Sequence, residues 1–96
     1  MLRHVLLFKF YDNVPEETRA RAVAALKELG ALVPEVREWS VERDIGVRPG
    51  RNHDLAQVSA FDDQAALERY RMNPEHIRVR DLMATCCDWV VVDYEF

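Results

Sequence analysis

The chain has 96 residues, with 13 Lys and Arg against 17 Asp and Glu, a formal charge of −4. That length fits one domain, residues 1–96, and a chain this short buries only about 60–65% of the surface its unfolded form exposes, so a partner subunit would help its thin core. Hydrophobic content of 49% excludes wholesale disorder, interspersed charges of mildly acidic balance argue against nucleic acid and anionic membrane surfaces, and no apolar run approaches the ~20 residues of a bilayer span.

The start, Met1-Leu2-Arg3-His4-Val5, lacks the small-residue cleavage site of a signal peptide, so a cytoplasmic location is expected. Arg3 to Phe10 reads as a strand, followed by the turn cluster Tyr11-Asp12-Asn13. Pro15 suits the first turn of a helix, where Glu16 and Glu17 face a favourable dipole. Ala22, Val23, Leu26 and Leu29 recur at helical spacing, and Gly30 is the expected end. Val36 to Ile45 alternates Trp39 and Val41 with Ser40 and Glu42, a half-buried strand.

Gly46 to His53 is a loop with a Pro49-Gly50 turn, and His53 is expected in solvent. Asp54 to Phe61 is a third strand. Asp62 or Asp63 caps a second helix, which Pro74 interrupts because the residue before a proline, Asn73, is driven from helical angles. A new turn starts near Glu75 and runs to about Thr85. Asp88 to Glu95 is the last strand, and Cys86-Cys87 are two small residues entering it, since neighbouring cysteines make no disulfide framework. The order strand–helix–strand–strand–helix–strand predicts a ferredoxin-like α+β fold: a four-stranded antiparallel sheet with its helices on one face.

Helices on one side should leave the other sheet face polar. Here His4, Leu6, Phe8 and Phe10 share one face of the first strand, yet Val5 and Leu7 occupy the other. In the last strand Trp89 and Val91 oppose Val90, Val92 and Tyr94. Apolar patches beyond a few hundred Å² are rarely left in water, so a second copy of the chain is expected to cover this face as a homodimer. On that expectation an enclosed cavity depends on two chains closing over one another.

The stretch Tyr70-Arg71-Met72-Asn73-Pro74-Glu75-His76 is the richest in chemistry. Across a broken helix, phenol and imidazole could converge on one pocket. His76 shares the stripe of Val79 and Met83, and a histidine among apolar side chains stays neutral, as a general base requires. Tyr70 could donate a hydrogen bond to a substrate carbonyl and stabilise enolate charge. The alternative is a core histidine satisfied by a backbone carbonyl or by Tyr70 itself. His4, the odd polar residue on its face, could line the same cavity. Three histidines without close spacing predict no metal site.

Other users of this topology leave different marks. An RNA-binding sheet wants stacking aromatics, which Leu55 to Ala60 lacks. No Gly-rich phosphate loop precedes a helix. A monooxygenase of the dimeric-barrel type would want a polar Asn on the first strand, where Leu6, Leu7 and Phe8 stand.

His4-Val5-Leu6-Leu7-Phe8-Lys9-Phe10 resembles the Dabb family, the stress-responsive dimeric A/B barrel domain. Asp54-Leu55-Ala56 leading to Phe61, Tyr70-x-x-Asn73-Pro74-x-His76, and Val91-Val92-Asp93-Tyr94 extend the resemblance over the chain. It implies a ferredoxin-like protomer whose sheet packs on its mate's to form a dimeric α+β barrel. A plant polyketide (olivetolic acid) cyclase branch is distantly similar, and its acid–base pair matches Tyr70 and His76. On that resemblance His4, Leu6, Phe8, Leu55, Val23, Leu26 and Asn73 line the pocket. Asn73 and Leu55 stand where that branch has histidines, Val23 and Leu26 where it has aromatics, and Glu42 where Gly is frequent. The resemblance therefore implies cofactor-independent proton transfer, aldol-, cyclase- or lyase-like, on a carbonyl compound other than that branch's polyketide. The competing expectation is a non-catalytic stress-responsive homodimer or small-ligand binding module.

Overall fold

A computed structural model describes all residues from Met1 to Phe96. Alternation along Leu2–Phe10 makes β1, with His4, Leu6, Phe8 and Phe10 buried on one side. Helix α1 spans Glu16–Leu32 and buries Ala22, Val23, Leu26 and Leu29. It runs past Gly30, the expected terminus. Gly30 serves a contact instead: a Cβ there would overlap the indole of Trp39. That indole also donates from Nε1 to the Leu26 carbonyl at 3.1 Å, tying helix to sheet.

Strand β2 is Glu38–Arg43, shorter at both ends than its alternation predicts. Val36 is held in a turn by a bond from its N–H to the Val33 carbonyl, and Ile45 lies 83% exposed in the following loop. Gly50 turns that loop with φ of +82°, which favours glycine. Strand β3 is Leu55–Phe61 and helix α2 is Gln64–Met72. Asp63 is the cap, accepting from the Ala66 N–H at 2.8 Å, whereas Asp62 pairs with Arg37 at 2.9 Å. Helix α3 follows at once as Pro74–Ala84, and β4 is Cys87–Glu95. Cys86 and Cys87 are free and buried, and burial pushes the Cys87 thiol up to about 12, so it is inert at neutral pH.

The sheet order is β2-β3-β1-β4, antiparallel throughout. This is the expected ferredoxin-like arrangement, with the second helix split in two. One sheet face packs on the helices over a single apolar core that includes Phe8, Leu29, Phe61 and Met83. The other face carries two rows across the strands: Ser40–Val58–Val5–Val92 and Glu42–Ala56–Leu7–Val90. Val92 is 61% and Val90 55% exposed, so the apolar second face read from the sequence is open in the single chain. No helix is long and apolar enough to cross a membrane.

Candidate active site

Register sets one wall of a cavity. The β1–β4 pairing places His4 opposite Asp93, Leu6 opposite Val91 and Phe8 opposite Trp89, all on the helix face. Two helix ends set the other. Asn73 closes α2 with its N–H on the Tyr70 carbonyl at 3.1 Å, and starts α3 with its Oδ1 accepting from the Glu75 N–H at 2.8 Å. One residue thus caps both helices, and Pro74 at the first position of α3 needs no donor there. The abrupt junction brings Tyr70, in the last turn of α2, against His76, in the first turn of α3, with ring centroids 4.4 Å apart. Between these walls lies a cavity of about 320 Å³ that Tyr70, His76 and His4 all reach.

The last carbonyls of a helix lack partners within it. His76 supplies one, its Nδ1 lying 3.0 Å from the Arg71 carbonyl oxygen. A carbonyl only accepts, so Nδ1 carries the proton and the neutral ring keeps its lone pair on Nε2. Burial chiefly lowers the His76 pKa below its ordinary value, and the Arg80, His4 and Arg71 charges push the same way against the Arg71 carbonyl bond. A position near a helix N-terminus also disfavours an imidazolium.

Burial holds the Tyr70 phenol protonated, well above its ordinary range, and the Gln57 side chain beside it offsets part of that shift. Tyr70 is therefore a hydrogen-bond donor rather than a phenolate. His4 packs edge-on to Tyr70 and to Phe61, with its Nδ1 bonded to Asp93. The Asp93 carboxylate accepts, which fixes a proton on His4 Nδ1 and leaves Nε2 as the second nitrogen. Ser59 donates to the His4 carbonyl at 2.9 Å, holding that strand position from the other side.

Of the residues expected at the site, His4, Leu6, Phe8, Leu26, Tyr70 and His76 line the cavity. Val23 does not: it lies a turn back along α1, in the packed core. Leu55 pairs with Phe8 and Arg43 on β3 and is core as well. Asn73 is occupied as the double cap. Leu29, Gln57, Asp93, Arg71 and Arg80 line the wall without having been singled out. Strand alternation marks Gln57 with Leu55 and Ser59, and Asp93 with Trp89 and Val91. Arg80 is one helical turn beyond His76. The cavity lies on the helix side of the sheet and is built within one chain, so it does not depend on a second chain closing over the open face.

A four-stranded antiparallel sheet in the order β2-β3-β1-β4, backed on one face by helices, defines a ferredoxin-like α+β protein. The chain belongs to the Dabb family, the stress responsive A/B barrel domain, whose family model matches residues 2–96. It is 40% identical over the full length of both chains to an uncharacterised protein of Streptomyces coelicolor. A dimeric ferredoxin-like protein of unknown function from Thermobifida fusca is 28% identical with a TM-score of 0.89, covering 99% of this chain and 90% of that one. A hydroxynitrile lyase from Passiflora edulis shares the fold at 20% identity and a TM-score of 0.84, covering 97% of this chain and 90% of that one.

Proposed function

We propose that the cavity is a cofactor-independent acid–base site acting on a small carbonyl compound. The observation that carries this is the His76 bond to the Arg71 carbonyl, which leaves Nε2 unprotonated in a cavity shared with the Tyr70 phenol. His76 Nε2 takes a proton from the carbon next to the carbonyl. The C–H electrons form the carbon–carbon double bond of the enolate, the carbonyl π electrons move to its oxygen, and Tyr70 donates a hydrogen bond to the developing oxyanion. The enolate then attacks a second carbonyl of the same molecule, or expels a group from the adjacent carbon. The imidazolium returns its proton to the new alkoxide or to the departing group.

The same reading covers the assembly. Two chains pack open face to open face, removing the Val58–Val5–Val92 and Leu7–Val90 rows from water, and the Thermobifida fusca relative's description as dimeric supports it. The Passiflora edulis hydroxynitrile lyase, at 20% identity, carries only the fold. A second reading, a non-catalytic stress-responsive homodimer or ligand-binding module, is favoured by the same His76 bond, because that bond also caps α2.

The test is deuterium uptake. Incubating aliphatic and aromatic ketones in D₂O with the protein, followed by proton NMR, reads α-proton exchange directly. Exchange that vanishes in His76→Ala supports the site. A protein that leaves every ketone's exchange at its buffer rate favours the binding module.

A further inference from the structure

The cavity has two unlike ends. Leu6, Phe8, Leu29 and Trp89 make an apolar interior, while two cationic residues, Arg71 and Arg80, stand in the lining beside Tyr70 and His76. Neither is consumed by the fold. Side-chain exposure is 57% for Arg71 and 48% for Arg80; Arg71 has Glu68 at 3.6 Å, and Arg80 has the adjacent Asp81 at 3.0 Å. Exposed pairs of this kind contribute little, and a guanidinium has five donors, so each keeps N–H groups for a ligand.

Both guanidinium charges act on His76, which places their fields on the reacting end of the cavity. The acidic side chain on the wall is Asp93, which stands across the cavity on β4 and is engaged by His4. A neutral apolar ligand would fill the interior and leave two cations with nothing to bind. An oxyanion would take both.

The geometry points to an amphipathic anion as the ligand of this cavity: an apolar body inside, and an oxyanion head group held by Arg71 and Arg80. This deepens the acid–base reading and rests on it for the position of the reacting carbonyl. Arg71 follows Tyr70 directly and Arg80 lies a turn beyond His76, so the carbonyl sits close to the head group. The substrate class is an oxo acid with an apolar tail. A carboxylate and a phosphate both match an arginine fork.

Calorimetric titration of the full chain with octanoate, octyl phosphate and octanamide at low salt tests this. At least one anion is expected to bind roughly tenfold tighter than the amide, as charge-assisted pairing outweighs neutral hydrogen bonding. That preference is expected to vanish in Arg71→Gln/Arg80→Gln, with the anion falling to the affinity of the amide. The tighter of the two anions identifies the head group. Equal binding of anion and amide by the wild type overturns the inference and leaves the acid–base reading standing. A preference that survives in the double variant overturns it too. Binding of none of the probes also overturns the inference, and the acid–base reading is then decided by proton exchange alone; failed proton exchange with selective anion binding overturns the acid–base reading and leaves the anion site.

Discussion

The imidazole of His76 bridges the break between two helices, donating from Nδ1 to the Arg71 carbonyl oxygen 3.0 Å away. One hydrogen bond thus satisfies a helix end and selects the tautomer of the ring. The two consequences are separable by mutation.

His76→Ala is expected to abolish α-proton exchange while costing only about 1 kcal/mol of stability, the net worth of one hydrogen bond. Thermal melts alongside exchange rates check this. A collapse of the melting temperature comparable to that of a core truncation would make His76 a structural residue first.

Tyr70→Phe keeps the ring that packs 4.9 Å from Phe61, so the fold should persist. Loss of the phenol hydrogen-bond donor is expected to slow exchange by about 10²–10³-fold, as for other oxyanion donors. Tyr70 is almost wholly buried, so loss of its hydroxyl is also expected to change stability by about 1 kcal/mol. Rate and melting temperature measured on the same sample decide the outcome.

Acidification has a defined sign. The folded pKa of His76 lies below its unfolded value of 6.5, so between the two values the unfolded chain binds more protons. The contribution of His76 to stability is whole above pH 6.5, and it declines as pH falls from there to the folded pKa. The melting temperature of the wild type is therefore expected to fall relative to His76→Gln as pH is lowered through this window. Paired melts at a series of pH values check it; parallel curves would contradict it.

Gly30→Ala sets two effects against each other. Alanine is worth about 1 kcal/mol over glycine inside a helix. Overlap with the Trp39 indole costs about 1–3 kcal/mol, as overpacking does. The variant is expected to be less stable, with the indole displaced from the Leu26 carbonyl, and denaturant melts with tryptophan fluorescence read both.

Val92→Asp on the open face is expected to give a species that sediments as a monomer and still binds ligand, because the cavity lies behind the sheet. Sedimentation velocity with octanoate titration separates the two faces. Lost binding in a folded monomer would show that the cavity does need the second chain.

Much of the fold was legible in the chain, because its signals are local. Val5 and Leu7 against Leu6 and Phe8 announce a strand apolar on both faces, and the open sheet face follows. Pro74 announces a break, and the structure adds that Asn73 caps both sides of it. Glycine misled at position 30, since an absent side chain marks a close neighbour as readily as a helix end. The far reaches of the core were also misjudged: Val23 and Leu55 share a face with cavity residues but lie beyond its edge.

By itself the sequence determined the order of the elements, the face each strand side chain takes and the place of Tyr70 and His76 on either side of a proline break. These depend on periods of two and 3.6 residues and on residues a turn or two apart. Only the tertiary structure decided that Asp93 meets His4, 89 positions away, and that Arg71 and Arg80 flank the same opening. Such meetings are set by strand register and helix packing, which minimise exposed apolar area over the whole chain and leave no trace in any one segment.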